Sequence, residues 1–159
     1  MKNKLAVQVF KWTSSSWCDD QDFYRFSGIF RSVYLYTMPK VHVYDLKVQP
    51  VLDETLINAD LLVTMQMRGT GRARFTLTGS KDYSVLEEKE QQVIFFEELP
   101  VSEGEVYFEK QVNKPELWSA EIPNLYTLTI ECFDTEGERS EVICQKIGFR
   151  RFEMKDSIM

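Results

Sequence analysis

Apolar and polar residues alternate along most of the chain after about residue 40, and this alternation predicts β-strands. A period of two places successive side chains on opposite faces of a half-buried strand. The predicted strands are residues 41–48, 59–67, 72–78, 92–96, 106–112, 125–133 and 141–147. No stretch of ten or more residues has a convincing helical period. Seven short strands separated by turn residues, over about 100 residues, are typical of an immunoglobulin-like β-sandwich.

One polar stretch interrupts this alternation. Residues 86–92, Leu-Glu-Glu-Lys-Glu-Gln-Gln, contain helix-forming residues, but the stretch is short and too polar to bury a face. Because helix propensity alone is weak evidence, we favour a solvated edge strand or a loop over a helix there.

The first 38 residues follow a different pattern. Strands are predicted at residues 5–12 and 33–36, with a turn at 13–16 and an acidic loop at 19–22. Two or three strands are marginal in water because they cannot close a core of their own. The same stretch nevertheless carries many aromatic residues, namely Trp12, Trp17, Phe23, Tyr24, Phe26, Phe30, Tyr34 and Tyr36. We therefore expect it to be the tail of another domain whose other strands are missing.

Composition and charge restrict the class of protein. Of the 159 residues, 43% are hydrophobic and 28% are charged, which is typical of a folded domain. The net charge of −6 argues against nucleic acid as a partner, because phosphate binding needs a basic face. No apolar stretch reaches 18 residues, so no membrane span is predicted, and the start resembles no signal peptide. The sequence leaves the cellular compartment open.

The three cysteines, Cys18, Cys132 and Cys144, do not form a disulfide framework. A hairpin turning at residues 135–137 would place Cys132 opposite about Ser140, so Cys144 would lie beyond its reach. We predict three free thiols, two of them in the core.

Three motifs in the chain resemble glycoside hydrolase family 2. Residues 20–31, Asp-Gln-Asp-Phe-Tyr-Arg-Phe-Ser-Gly-Ile-Phe-Arg, resemble the signature near the end of the family's sugar-binding jelly-roll domain. Residues 117–126, Leu-Trp-Ser-Ala-Glu-Ile-Pro-Asn-Leu-Tyr, are similar to a motif late in its immunoglobulin-like domain. Residues 147–150, Ile-Gly-Phe-Arg, resemble the strand that leads into the catalytic barrel. The details look more like the β-galactosidases than the β-glucuronidases or β-mannosidases.

The resemblance implies a domain organisation. Residues 1–38 would be the C-terminal strands of a truncated jelly-roll, residues 39–150 an immunoglobulin-like β-sandwich, and residues 151–159 the start of the linker to an absent (β/α)₈ barrel. Retaining hydrolysis needs two carboxyl groups about 5 Å apart. In the family both are glutamates of the barrel, so we assign no catalytic residue to this chain. The parent protein would hydrolyse terminal β-D-galactosides, with Mg²⁺ and Na⁺ as cofactors.

Asp22 is the candidate substrate-binding and metal-binding residue. By resemblance it matches an aspartate that contacts the galactosyl 6-hydroxyl and a sodium ion in the parent enzyme. The alternative is that Asp19, Asp20 and Asp22 form only a solvated acidic turn. We favour that alternative for this chain by itself, because the other ligands would come from the barrel.

Further residues have simpler structural interpretations. Arg25 and Arg31 lie among aromatic residues, which favours stacking that fixes the loop. Gly28 is expected to adopt a backbone conformation closed to other residues. Trp118 and Tyr126 could form a sugar-stacking platform, but we expect them to fill the core with a polar tip bonded to the backbone.

Other polar residues are expected at the surface. His42 is the single histidine, which excludes a multi-histidine zinc site, and it is predicted to lie on an exposed face. The pairs at 87–88 and 97–98 are neighbouring glutamates, so each pair points to opposite faces of a strand and cannot flank one glycosidic bond. Gly69 and Gly71 are predicted to form a turn and not a phosphate loop.

These observations support one main hypothesis and two alternatives. The main hypothesis is a non-catalytic, architectural region of a family 2 β-galactosidase, whose partners are the remaining domains of its own parent chain. One alternative is a stand-alone carbohydrate-binding or adhesion module; the other is a piece of a β-glucuronidase or β-mannosidase. We also expect self-association, because strands 5–12 and 30–36 would have lost the sheet that covered them.

Overall fold

A computed structural model describes residues 4–18, 28–82 and 92–153. The chain divides into two compact units, Met1–Thr37 and Met38–Met159.

The second unit is a sandwich of two antiparallel sheets. Its strands are β1 (His42–Leu52), β2 (Asn58–Arg68), β3 (Gly71–Asp82), β4 (Val93–Val101), β5 (Gly104–Asn113), β6 (Asn124–Phe133) and β7 (Arg139–Ile147). One sheet has the order β1-β2-β5 and the other the order β4-β3-β6-β7. The seven strands and the β-sandwich predicted from the sequence are confirmed. Strand β1 is longer than the predicted strand at residues 41–48, because it continues through Pro50. It is an edge strand of its sheet, and an edge strand tolerates a residue without an N–H.

The core is formed by alternate residues of the central strands. In β2, β3 and β6 every second side chain is buried, as the period of two predicts. Phe75 of β3 stacks on Phe108 of β5, with ring centroids 4.2 Å apart, and so joins the two sheets. The largest fully buried side chains are Phe75, Phe149, Leu61, Met65, Met67, Leu77, Leu128, Ile130, Val63 and Cys132.

Polar contacts join the sheets along both open sides of the sandwich. On one side Lys110 of β5 forms an ion pair with Glu97 of β4, with an N···O distance of 2.5 Å. On the other side the Val43 N–H, next to a bulge in β1, donates to the Glu141 carboxylate of β7 at 2.8 Å. Glu98 binds Arg74 on the outer surface of its sheet. Glu97 and Glu98 therefore point to opposite faces, which confirms that prediction.

The cysteines are free thiols in different environments. Cys132 lies opposite Glu141 and is buried, whereas Cys144 lies opposite Thr129 and is exposed. The prediction that two cysteines belong to the core is therefore wrong for Cys144. Thr129 is on the outward face of β6, and directly opposed residues share a face, so Cys144 also points outward. Cys18 is exposed as well.

The first unit contains one helical turn, α1 (Ser15–Cys18), and no strand among its described residues. The prediction of strands at residues 5–12 and 33–36 is therefore wrong. A strand exists only with a hydrogen-bonded neighbour, and no described residue pairs with these segments. Gly28 has a φ of +93°, as predicted for a conformation that favours glycine, and the Arg31 guanidinium lies 5.9 Å from the Phe30 ring centroid.

Several sequence predictions fall outside the described residues. They concern the acidic loop and Arg25 within residues 19–27, the polar stretch 86–92 except for its last residue, the glutamate pair at 87–88, and the end of the chain at 154–159. Within the described part of the chain, no helix has the length and apolar character needed to cross a membrane.

The turn between β1 and β2 is closed by one carboxylate, which leads to a pH prediction. Asp53 accepts hydrogen bonds from the Thr55 hydroxyl at 2.8 Å and the Ile57 N–H at 3.0 Å. The Thr55 bond in particular, followed by backbone bonds, lowers the pKa of Asp53 below its ordinary value of 3.8. Because the pKa is lower in the folded state, this stabilisation is complete above the unfolded pKa and is lost as the pH falls through the folded pKa.

We expect NMR titration of the Asp53 carboxyl carbon to give a midpoint below 3.8. Thr55→Val should move this midpoint upward, because it removes the hydroxyl donor and leaves the backbone donors in place. A midpoint at or above the ordinary value in the unsubstituted protein would contradict the observed hydrogen bonding.

Candidate functional site

Two segments contact each other where the chain leaves the sandwich. Residues 116–126 form a loop and the start of β6, and residues 147–150 form the end of β7 and its continuation; together we call these two segments the clasp. They are joined by a parallel bridge between Leu117 and Phe149. The Trp118 N–H donates to the Phe149 carbonyl at 2.9 Å. Two of the three motifs that resemble glycoside hydrolase family 2 therefore lie against each other.

The loop part of the clasp is held by its own polar residues. The Ser119 N–H donates to the Ile122 carbonyl, and the Ile122 N–H donates back to the Ser119 hydroxyl, both at 3.0 Å. The Asn124 side-chain amide donates to the Leu117 carbonyl at 3.0 Å. Ser119 and Asn124 thus close the turn around Pro123 from its two ends. Pro123 itself forms an antiparallel bridge with Trp118.

Two aromatic rings form the buried centre of the clasp. Tyr126 and Phe149 meet edge to face, with centroids 5.0 Å apart and an angle of 86° between the rings. The Tyr126 hydroxyl accepts a hydrogen bond from the Glu116 N–H at 2.8 Å. This confirms the prediction for Tyr126, a core aromatic whose polar tip is bonded to the backbone.

Trp118 is half-buried, and its surroundings leave little room for a sugar. The Arg150 guanidinium lies 4.8 Å from the centroid of the indole ring. On Gly148 an added Cβ would lie 3.0 Å from the Trp118 Cβ, so this glycine allows the two segments to approach. Stacking by Arg150 occupies one face of the ring, which weakens the stacking-platform interpretation.

A groove borders the clasp on the side where the edge strands β1 and β7 face each other. It has a volume of about 630 Å³ and an apolar wall that includes Leu46, Val48 and Ile147. Lys47, Lys146 and Arg150 contribute positive charge to the lining, and among the described residues no aspartate or glutamate belongs to it. The groove is therefore a cationic depression with one apolar wall, on a chain of net charge −6.

The residues that could bind a metal ion are dispersed over the described part of the chain. No group of three or more histidine, cysteine, aspartate or glutamate side chains among residues 4–18, 28–82 and 92–153 could hold a metal ion. His42 is partly exposed and its Nδ1 lies 2.7 Å from the Pro39 carbonyl, which it binds as a donor. Asp22, the candidate for sugar and sodium binding, lies outside the described residues. Gly69 adopts a φ of +80° in the β2–β3 turn, which confirms the predicted turn.

Two further groups have altered acidity without forming a site. Burial, and secondarily the charge of Glu141, raise the pKa of the Cys132 thiol to about 11, so this thiol stays protonated and unreactive near neutral pH. Hydrogen bonding to Glu105 raises the pKa of the Tyr107 hydroxyl. Cys132 is enclosed in the core and Tyr107 lies on an open sheet face, so neither pKa shift indicates catalysis.

Comparison with known proteins gives consistent matches over both units. The model of the family "Glycosyl hydrolases family 2" matches residues 41–150, and the model of its sugar binding domain matches residues 1–39. A β-galactosidase of Clostridium acetobutylicum is 47% identical over 161 residues, which cover 99% of this chain and 17% of the relative. A β-galactosidase of Halalkalibacterium halodurans is 40% identical over 158 residues, covering 99% of this chain and 15% of the relative.

Solved structures share the fold at lower identity. The apo structure of Bacteroides uniformis β-glucuronidase 3 superposes with a TM-score of 0.68 at 23% identity, covering 86% of this chain and 16% of that one. Lactobacillus rhamnosus β-glucuronidase gives a TM-score of 0.62 at 25% identity, covering 85% of this chain and 20% of that one.

The chain thus spans only 15% and 17% of the length of the two β-galactosidases described above. The family model alone covers residues 41–150, most of the chain, and its sugar-binding model covers the residues before them. The family resemblance recognised in three short motifs is confirmed: this chain belongs to glycosyl hydrolases family 2.

Proposed function

We propose that this chain is a non-catalytic, architectural region of a family 2 β-galactosidase that hydrolyses terminal β-D-galactosides with retention. The observation that carries the proposal is the asymmetry of coverage: 99% of this chain aligns with β-galactosidases, of which it spans 15–17%. The remainder of such a protein has room for a catalytic barrel with its two carboxyl groups.

The clasp supports the architectural part of the proposal. Buried rings, backbone hydrogen bonds and the stacked Trp118–Arg150 pair fix the direction in which the chain leaves β7. In the proposed arrangement, residues 1–38 complete a sugar-binding jelly-roll, residues 39–150 form the spacer, and residues 151–159 begin the linker to the barrel. A segment that leaves a sandwich in one fixed direction can hold two flanking domains at a constant separation.

The parent substrate is proposed to be a galactoside and not a glucuronide. The curated relatives at 40% and 47% identity are β-galactosidases. The β-glucuronidase structures are 23% and 25% identical, and they support the shared fold. For the longer protein we propose Asp22 as one ligand of the galactosyl 6-hydroxyl and of Na⁺, with Mg²⁺ as a second cofactor. The described residues offer no group that could hold either ion by itself.

The proposal predicts that the purified chain does not hydrolyse 4-nitrophenyl β-D-galactopyranoside. The natural gene product that contains this stretch should have an intact mass several times 18.7 kDa and should be active on the same substrate. Hydrolysis that stays with the purified chain through successive columns would contradict the non-catalytic assignment. A gene product of about 18.7 kDa would contradict the architectural role. The intrinsic tryptophan fluorescence should then be followed with galactose and lactose, to test a stand-alone binding module.

We expect the isolated chain to self-associate through its first unit. Phe30 and Leu35 are 84% and 85% exposed there, among other exposed apolar side chains. Light scattering should show a mass that rises with concentration, and Leu35→Asp should reduce this rise. Tyr107→Asp is a matched control, because the Tyr107 side chain is likewise exposed, at 69%, but belongs to the sandwich and not to the first unit. A monomer at all concentrations, or equal effects of both substitutions, would contradict this expectation.

A further inference from the structure

The groove between β1 and β7 combines features that point to a ligand, independently of the proposed architectural function. Both strands are edges of their sheets, so each has backbone groups without a neighbouring strand. The volume of about 630 Å³ is within the range of binding pockets. Its wall is apolar at Leu46, Val48 and Ile147, and this part could cover the apolar side chains of an extended segment.

The charge of the groove is complementary to a carboxylate. Arg150 is exposed, and its guanidinium carbon lies over the Trp118 ring, 4.8 Å from the centroid, a contact that restricts how the guanidinium can turn. Within the described residues neither Arg150 nor Lys47 has a carboxylate partner. The adjacent Arg151 differs, because it forms an ion pair with Glu153 and lies outside the groove lining. A guanidinium held by an aromatic ring is well suited to bidentate binding of a carboxylate.

The edge of β7 offers main-chain groups beside these cations. The Lys146 carbonyl accepts a hydrogen bond from the side-chain amide of Gln145 at 3.0 Å. A donor that does not belong to a neighbouring strand can therefore reach this carbonyl. The backbone N–H of an added strand would take the place of the Gln145 side-chain amide as the donor to the Lys146 carbonyl. Pairing with an edge strand gives main-chain affinity, whereas pockets beside it select the side chains.

We propose that the β1–β7 groove is a docking site for an extended polypeptide segment in which apolar residues alternate with acidic ones. The segment adds to the edge of β7, its apolar side chains lie against the wall of the groove, and one carboxylate binds the N–H edge of Arg150. Lys47 attracts the same segment from the opposite wall, on β1.

The test uses a fluorescein-labelled, C-terminally amidated peptide of alternating valine and glutamate, with anisotropy as the readout. We expect saturable binding that is lost when lysine replaces glutamate in the peptide. Arg150→Gln should weaken binding roughly tenfold or more, because a charge-assisted bond to the carboxylate is removed. Arg151→Gln, which removes the same charge from the neighbouring residue, should have less than a threefold effect.

Two further measurements establish where and how the peptide binds. The amide NMR signals of residues 145–148 should shift on titration with the glutamate peptide, and those of β5, the distant edge strand, should not. Arg150→Lys separates geometry from charge, and we expect it to recover only part of the lost affinity. Equal losses for Arg150→Gln and Arg151→Gln, shifts confined to other strands, or equally tight binding of glutarate alone would each overturn the proposal.

Discussion

Replacing Phe149 by alanine is expected to lower the free energy of unfolding of the sandwich by about 3–5 kcal/mol, the usual cost of deleting a buried aromatic side chain. Phe149 is 0% exposed and packs edge to face on Tyr126. Its backbone also accepts the Trp118 N–H, so a cavity there loosens the contact between both segments of the clasp. Because small domains have a total stability of roughly 5–15 kcal/mol, this loss would consume much of it.

Urea denaturation followed by circular dichroism and by fluorescence provides the measurement. Phe152→Ala is the matched control: it deletes the same ring three residues later, where the side chain is 70% exposed. We expect that substitution to change the free energy of unfolding by less than about 0.5 kcal/mol. Similar losses for Phe149→Ala and Phe152→Ala would show that the clasp is not packed as described.

The second large effect is expected at Gly71, at the start of β3. A Cβ on this residue would lie 1.9 Å from the Phe133 carbonyl oxygen and 3.0 Å from its carbonyl carbon. Both atoms belong to the backbone of β6, so they cannot move aside as a flexible side chain can. Gly71→Ala must therefore displace β3 or β6 where they join, and we expect a loss of roughly 3 kcal/mol, at the upper end of overpacking effects.

Gly79→Ala is the control within the same strand. An added Cβ on Gly79 would lie 3.3 Å from the Gln92 carbonyl oxygen, so this atom would have to shift by only a few tenths of an ångström, far less than the contact at Gly71 requires. Thermal unfolding should therefore rank Gly71→Ala as far more destabilising than Gly79→Ala. A loss at Gly71 no greater than at Gly79 would contradict the close approach of β3 and β6.

The candidate site was only partly visible in the sequence. Two motifs indicated residues 117–126 and 147–150, and Tyr126 behaves as predicted. The stacking of Arg150 on Trp118 was not predicted, because nothing local in the sequence shows that two residues 32 positions apart meet. The cationic groove was missed for the same reason, since Lys47 and Arg150 come from opposite ends of the sandwich in sequence. The one local feature in the sequence that relates to the Trp118–Arg150 contact is Gly148, because its lack of a side chain allows Trp118 to approach.

The strands predicted at 5–12 and 33–36 show where local pattern is insufficient. Alternation describes which face a side chain would take if a sheet were present, but the backbone hydrogen bonds require a second strand. Strands β2, β3 and β6 have neighbours on both sides, and there the same alternation was confirmed.

The sequence by itself determined the number and order of the sandwich strands, their inward-facing residues and the family, because alternation and short motifs are local properties of the chain. The tertiary structure decided which strands pair and which aromatic rings meet in the clasp. It also decided that Cys144 points outward and that Gly71 must lack a side chain. These features depend on distances between residues far apart in the chain, and such distances are set only when the two sheets pack.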